Sequence, residues 1–242
     1  MLHIPQKGHT RVPFIPGYAF TKITQTEIQY VPAEVNAEKF RTMPGQIQRG
    51  TPFGDELYKL ARDGPRLWLE TGTWNGLGST QCILDGFLHR SDDPSLLSLE
   101  VDPHLAVIAR EHVARHPVGH RAQVAVGRLG STKALAFPTI SDLPTEEKTA
   151  GHFILYYEQE LNLYHTSDVV IPSFSPEVAV LDGGEYSGGL DWQHLDKSKL
   201  QYLCLDDAHT YKNKAVLASL GSDWVHVISG RDRNGWAIYR RL

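Results

Sequence analysis

Cysteine is scarce: Cys82 and Cys204 are the only two in 242 residues, and each sits in an apolar stretch. That leaves no material for a disulfide framework or a multi-thiolate zinc site, and buried free thiols suit a reducing cytoplasm. Long apolar runs are missing too. Each is cut short by charge or proline, so no membrane span is expected. Residues 1–7 hold no hydrophobic segment of signal-peptide length. Neither sign of charge dominates. With 24 Lys and Arg against 28 Asp and Glu, the net charge of -4 argues against a nucleic acid held mainly through its phosphates. Repeats and low-complexity tracts are absent. What is present is 41% hydrophobic and 21% charged residues, enough for a sizeable core. The length suits one α/β domain with an extension, or two small domains.

Prolines at 5, 13, 16, 32 and 44 break any long periodicity before residue 51. Residues 1–50 therefore read as an N-terminal extension with one short helix near 33–41. Thr51-Pro52 opens a helix to about Leu60, with Phe53, Leu57 and Leu60 on one face, and Gly64-Pro65 closes it. Strand-like runs then fall at 66–70, 96–100, 122–126, 178–181 and 202–205, with helices at 79–88 and 104–115 between the early ones. Leu105, Ile108, Ala109 and Val113 form the buried stripe of the second helix. Strands with so few charges are expected to be buried on both faces. The pattern predicts a mostly parallel sheet with helices on both sides. Residues 224–229 and 235–241, joined by a polar turn, predict a C-terminal antiparallel pair. Residues 51–242 would make up this one domain. Residues 131–175 exceed one crossover and read as an insertion with a helix near 153–164. That helix either covers a substrate or packs on the sheet.

The densest signal runs from Arg66 to Ser79: Arg-Leu-Trp-Leu-Glu-Thr-Gly-Thr-Trp-Asn-Gly-Leu-Gly-Ser. A strand ends at Glu70, and Gly72, Gly76 and Gly78 form a loop that lets a ligand approach the backbone. Ser79 opens a helix. The G-x-x-x-G-x-G spacing differs from the G-x-G-x-x-G that seats a pyrophosphate. Glu70 would repel a pyrophosphate and suit a cationic ligand. Thirty residues on, Leu-Leu-Ser-Leu-Glu100-Val101-Asp102-Pro ends a second strand in an acid able to accept both hydroxyls of a ribose.

Together these two motifs resemble those of the class I S-adenosylmethionine (SAM)-dependent methyltransferases, a Rossmann-like family, and especially its small-molecule O-methyltransferases of the catechol type. The resemblance covers about residues 66–207. It implies SAM as cofactor, with Gly72, Trp74 and Gly76 along its methionine part and Glu100 on its ribose. Thr73, Asn75, Gly78, Ser79, Val101, Asp102 and Asp182 complete the candidate cofactor set. Gly127 and Arg128 stand where that family meets adenine, without its usual acidic or small polar residues.

Two acidic strand ends remain: Asp182, opening Asp-Gly-Gly-Glu-Tyr-Ser-Gly-Gly, and Asp206-Asp207. In the metal-dependent members of the family, Mg²⁺ is held at matching positions by an acid and an Asp-Asn pair. The resemblance thus implies a metal set of Asp182, Asp206 and Asp207, with Asp207 in place of Asn. Carboxylate oxygens suit Mg²⁺. Equally, such residues serve as turn formers and helix caps. His209, one of twelve histidines, is the candidate catalytic base. Glu185 and Tyr186 are candidates for substrate contact, while Trp74 and Tyr211 are either ligand walls or packing.

The function expected is methyl transfer to a hydroxyl of a small molecule or sugar. A nicotinamide-dependent oxidoreductase would share the sheet and Glu100 but not the loop spacing or Glu70. A non-catalytic SAM-fold protein binding a partner through its extension is the third reading. A homo-oligomer is left open.

Overall fold

The structure, a computed structural model, describes residues 23–24, 27–28, 37–130, 137–143 and 151–242. Most of the expected extension, the first four residues of the 33–41 helix, and insertion residues 131–136 and 144–150 lie outside the described residues. Seven strands build one sheet: β1 (Leu67–Thr71), β2 (Ser95–Glu100), β3 (Ala122–Val126), β4 (Val178–Leu181), β5 (Tyr202–Asp206), β6 (Trp224–Gly230) and β7 (Trp236–Arg241). Their spatial order is β6-β7-β5-β4-β1-β2-β3. The pairings among β1 to β5 are parallel and β6–β7 is an antiparallel pair, as the sequence predicts; β7 also inserts antiparallel between β5 and β6. β1 starts one residue later than expected, because the Arg66 and Leu67 amides both donate to the Glu177 carboxylate, at 2.8 and 3.0 Å.

Alternation along the strands sorts the core into two layers. Trp68, Val178, Val180 and Cys204 face one cluster with Phe53, Leu57, Ile83 and Phe87. Those four belong to α2 (Pro52–Asp63) and α3 (Ser79–Phe87). Leu69, Ala179, Leu181, Leu203 and Leu205 face the opposite cluster with Trp192 and Val216. These come from α6 (Gly188–His194) and α7 (Tyr211–Ser219). Helices on both faces follow from central strands whose apolar side chains point to both sides. Thr51 caps α2 by accepting from the Gly54 amide, with Pro52 in the first turn.

The short helix α1 (Ala37–Thr42) lies against α4 (Pro103–Arg115), joined by an Arg41–Glu111 ion pair. The insertion helix, α5 (Gly151–Thr166), does not share the sheet's core. Its Tyr157 and Tyr164 pack with Phe137, Leu143, Tyr186 and Leu190 in a separate cluster beside the strand ends. Among the described residues, no helix is long and apolar enough to cross a membrane.

α2 and α3 approach closely at Gly86, where a Cβ would lie 2.6 Å from Ala61 Cβ and 2.7 Å from the Tyr58 carbonyl oxygen. Alanine is the better helix former by about 1 kcal/mol, yet overpacking costs about 1–3 kcal/mol. Gly86→Ala is therefore expected to destabilise the chain in urea unfolding. Equal or higher stability would show that the helices are not in contact there.

Candidate cofactor and active site

In a parallel sheet the carboxyl ends of neighbouring strands meet where the strand order reverses. Here that place lies between β1 and β4. A cleft of about 330 Å³ opens there, lined by the ends of β1, β2, β4 and β5 and by residues 43–47. Its size falls in the range of small-ligand sites.

The loop after β1 forms one wall. Gly72 (φ +89°) turns so tightly that a Cβ would run into the Asp182 backbone, which binds the loops after β1 and β4 together. Thr73, Trp74, Gly78 and Ser79 also line the cleft. Trp74 takes the left-handed conformation (φ 51°), which costs free energy in a bulky residue. The strain is offset where its amide donates to Glu100 Oε2 at 2.6 Å. The Asp102 amide donates to Glu100 Oε1 at 2.9 Å. Two backbone donors thus fix the Glu100 carboxylate at the cleft, while burial pushes its pKa up to about 8. Val101, Gly127 and Arg128 line the same end. Arg128 is committed to α5: its Nε donates to the Tyr164 carbonyl at 2.6 Å and its guanidinium lies over that ring.

Four residues of the candidate cofactor set lie behind the cleft, where their contacts are with the protein's own frame. Glu70 is fully buried beneath the loop, where it accepts from Thr80 Oγ1 at 2.6 Å and Ser98 Oγ at 2.5 Å. Asn75 is also fully buried, and its amide donates to the carbonyls of Phe40 and Met43, at 2.6 and 2.7 Å. Gly76 gives room to α4, since a Cβ there would lie 3.2 Å from Ala109 Cα. Asp102 caps α4 through the His104 and Leu105 amides. None of the four lines the cleft.

His209, the candidate base, is not brought to the cleft. It is exposed, and its ring lies against Gly235. Tyr186 is buried and packs edge-on to Tyr157, with ring centroids 5.5 Å apart; Glu185 does line the cleft. Tyr211 packs on Tyr186, while Trp74 is both a wall and a packing partner of Phe40.

Asp182, Asp206 and Asp207 do come together, with one oxygen of each within 4.8 Å of the others. Cations already stand among them. Lys212 Nζ, nearly buried, donates to Asp182 Oδ1 at 2.9 Å and to Asp207 Oδ2 at 3.3 Å. Arg233 donates to Asp206 Oδ2 at 2.7 Å and lies 3.7 Å from Asp207 Oδ1. Burial pulls the Lys212 ammonium down, but Asp182 and the other carboxylates around it outweigh that and hold it above its ordinary value. Asp182 is raised well above the usual carboxylate range by burial, against the pull of Lys212. Lys212 and Arg233 already pair with all three carboxylates, so a divalent ion would have to displace them to reach its ligands. The donor set therefore does not fit a bare Mg²⁺ site.

Sequence reasoning missed five contributors. Lys212 and Arg233 were a helix residue and a turn residue with no motif around them. Glu160 of α5 accepts from the Tyr186 and Ser187 amides, at 3.0 and 2.6 Å, closing the insertion over the cleft. Asp191 of α6 lies near Thr71. Residues 43–47, read as part of an extension, form a wall; the Gly45 amide donates to the Leu77 carbonyl at 3.0 Å. Among the described residues, seven carboxylates and three cationic side chains line the cleft.

No family model matches the chain, and no curated protein does. Solved structures match. The O-methyltransferase from Bacillus cereus, in complex with S-adenosylhomocysteine (SAH), is 14% identical at a TM-score of 0.54, over 86% of this chain and 88% of its own. The O-methyltransferase TomG from Streptomyces achromogenes, in complex with SAM, is 15% identical at 0.54, over 85% and 86%. Cofactor-bound Rv0187 from MTB is 17% identical at 0.53, over 89% and 92%. The chain has the fold of the Rossmann-like methyltransferases. At such identities the likeness carries the fold and no more.

The buried acids have a consequence for stability. Burial raises Glu100 to about 8, and Glu160 and Asp191 to about 7 each. Between the ordinary carboxylate range and about pH 8 the folded chain then binds more protons than the unfolded one. Stability is expected to be highest near pH 5 and to fall as pH rises through this window. Urea unfolding at pH 5.5 and pH 8 checks the sign. A chain more stable at pH 8 would contradict the placement of these carboxylates.

Proposed function

We propose that this chain is a SAM-dependent methyltransferase acting on a hydroxyl of a small molecule or sugar. The observation that carries the reading is the charge of the cleft. Acidic side chains outnumber basic ones seven to three among the described lining residues. A ligand with ammonium and sulfonium charges would draw the buried acids Glu100, Glu160 and Asp191, whose pKa burial raises, toward their charged forms. Glu100 offers its carboxylate, already aimed by two backbone amides, to a ribose diol. The fold supports the same reading. Its cofactor-binding unit begins at about residue 37, because residues 43–47 wall the site; residues before that would be the extension.

When bound, SAM supplies a methyl group on a sulfonium, which passes to the acceptor oxygen as the carbon–sulfur bond breaks. The chain's part is to align and to exclude water. Gly72 and Asp182 shape one end of the cavity, and Glu160 and Tyr164 of α5 cover it. Asp182, which lines the cleft beside Lys212 and Asp206, is the carboxylate placed to take the proton of the acceptor hydroxyl. Mg²⁺ assistance is not part of this reading, given Lys212 and Arg233.

Incubation with methyl-labelled SAM and a panel of phenolic and sugar acceptors is expected to release SAH with at least one of them. Glu100→Ala is expected to weaken SAM by about tenfold or more, since hydrogen bonds to a charged acceptor contribute about 1.5–3 kcal/mol. Full SAM affinity in that variant, by calorimetry, would remove the ribose assignment. Binding of NAD but not SAM would replace the reading with the oxidoreductase one.

A further inference from the structure

At the ends of β4 and β5 the chain departs from the metal-dependent pattern in two ways at once. Asp207 stands where that pattern has a neutral Asn, which adds a negative charge. Lys212 and Arg233 stand among the three acids, which adds two positive ones. Either change alone would upset the balance of the site. An extra carboxylate without a cation would raise the repulsion, and an added cation without the carboxylate would be a buried charge without a full set of partners. Together they leave three carboxylates against two cations, close to neutrality without any ion. Asp207 adopts a left-handed backbone (φ 52°), which Asp tolerates better than most residues, and this turn brings its carboxylate within reach of both Lys212 and Arg233.

We propose that Lys212 and Arg233 replace the divalent cation in this chain, so that the cluster binds no metal and Lys212 is the fixed positive charge that positions the acceptor oxygen. Lys212 is suited to this. Its side chain is 2% exposed, it lines the cleft, and two of its three donor hydrogens go to Asp182 and Asp207. The third is left for a ligand. Lys212 stays charged among these acids and so serves as a donor, not as a base. The positioning role rests on the methyltransferase reading. The exclusion of metal does not, and it is read out separately.

The probe is Mn²⁺, followed by the loss of its free electron-paramagnetic-resonance signal. With the wild-type chain the free signal is expected to persist, and SAM affinity is expected to be the same in EDTA and in Mg²⁺. Lys212→Met keeps the three acids and removes the buried cation, and this variant is expected to gain one Mn²⁺ site. Should it fail to fold by circular dichroism, Lys212→Gln, which keeps a polar side chain without the charge between Asp182 and Asp207, is expected to gain the Mn²⁺ site in its place, and a folded form of it that binds none overturns the proposal equally. One Mn²⁺ bound per wild-type chain, lost in Asp206→Asn, overturns the proposal. So does a folded Lys212→Met variant that binds none, because the lysine would then not be what excludes the ion. Absence of methyl transfer with every acceptor would count against the functional reading and leave the Mn²⁺ result standing.

Discussion

Burying a carboxylate costs several kcal/mol unless hydrogen bonds or opposite charges replace its water, and this molecule sets seven of them around one cleft. Five of them have their partners in view. Glu100 takes two backbone amides and Glu160 takes the amides that open α6. Asp182, Asp206 and Asp207 share Lys212 and Arg233. Much of the local architecture follows from these needs. The left-handed turns at Trp74 and Asp207 aim donors and carboxylates into place, and the α5 helix is held over the cleft by the carboxylate of Glu160. A fold that gathers buried acids in this way favours a cationic ligand, since the ligand's charge stabilises their ionised forms.

The walls come from parts of the chain far apart in sequence. Residues 43–47 close one side because Asn75, at the heart of the glycine loop, donates to the carbonyl of Met43 and to that of Phe40 just before the segment. Gly45 and Gly78 pack without side chains between them; a Cβ on Gly45 would lie 2.6 Å from Gly78 Cα. The insertion closes the other side through aromatic packing and the Arg128–Tyr164 contact. The sheet thus supplies position, while the added segments supply enclosure.

Much of this was legible beforehand, and the limits have physical causes. Strands buried on both faces announce themselves as unbroken apolar runs, so β2 to β5 were found within a residue. Glycine spacing and an acidic strand end marked the loop and Glu100, because those positions tolerate few alternatives. Which face a polar residue turns to was not legible. Glu70 and Asn75 stand in the motif, yet point beneath the loop, since residues at a strand end alternate between the cleft and the frame. His209 looked poised over the site only because its neighbours were; the turn that pairs its amide with Asn234 carries it outward. Lys212 had no local signature at all. Its meaning comes from β4 and β5 lying side by side, a long-range fact that no spacing encodes.

The central claim is that this cleft seats SAM with its ribose on Glu100 and its methionine end against Gly72 and Asp182. A crystal structure of the chain with SAH tests it most directly. The account requires both ribose hydroxyls within hydrogen-bond distance of the Glu100 carboxylate and the sulfur facing Asp182 and Lys212. A nucleoside bound elsewhere, or a ribose turned away from Glu100 in this cleft, would contradict it.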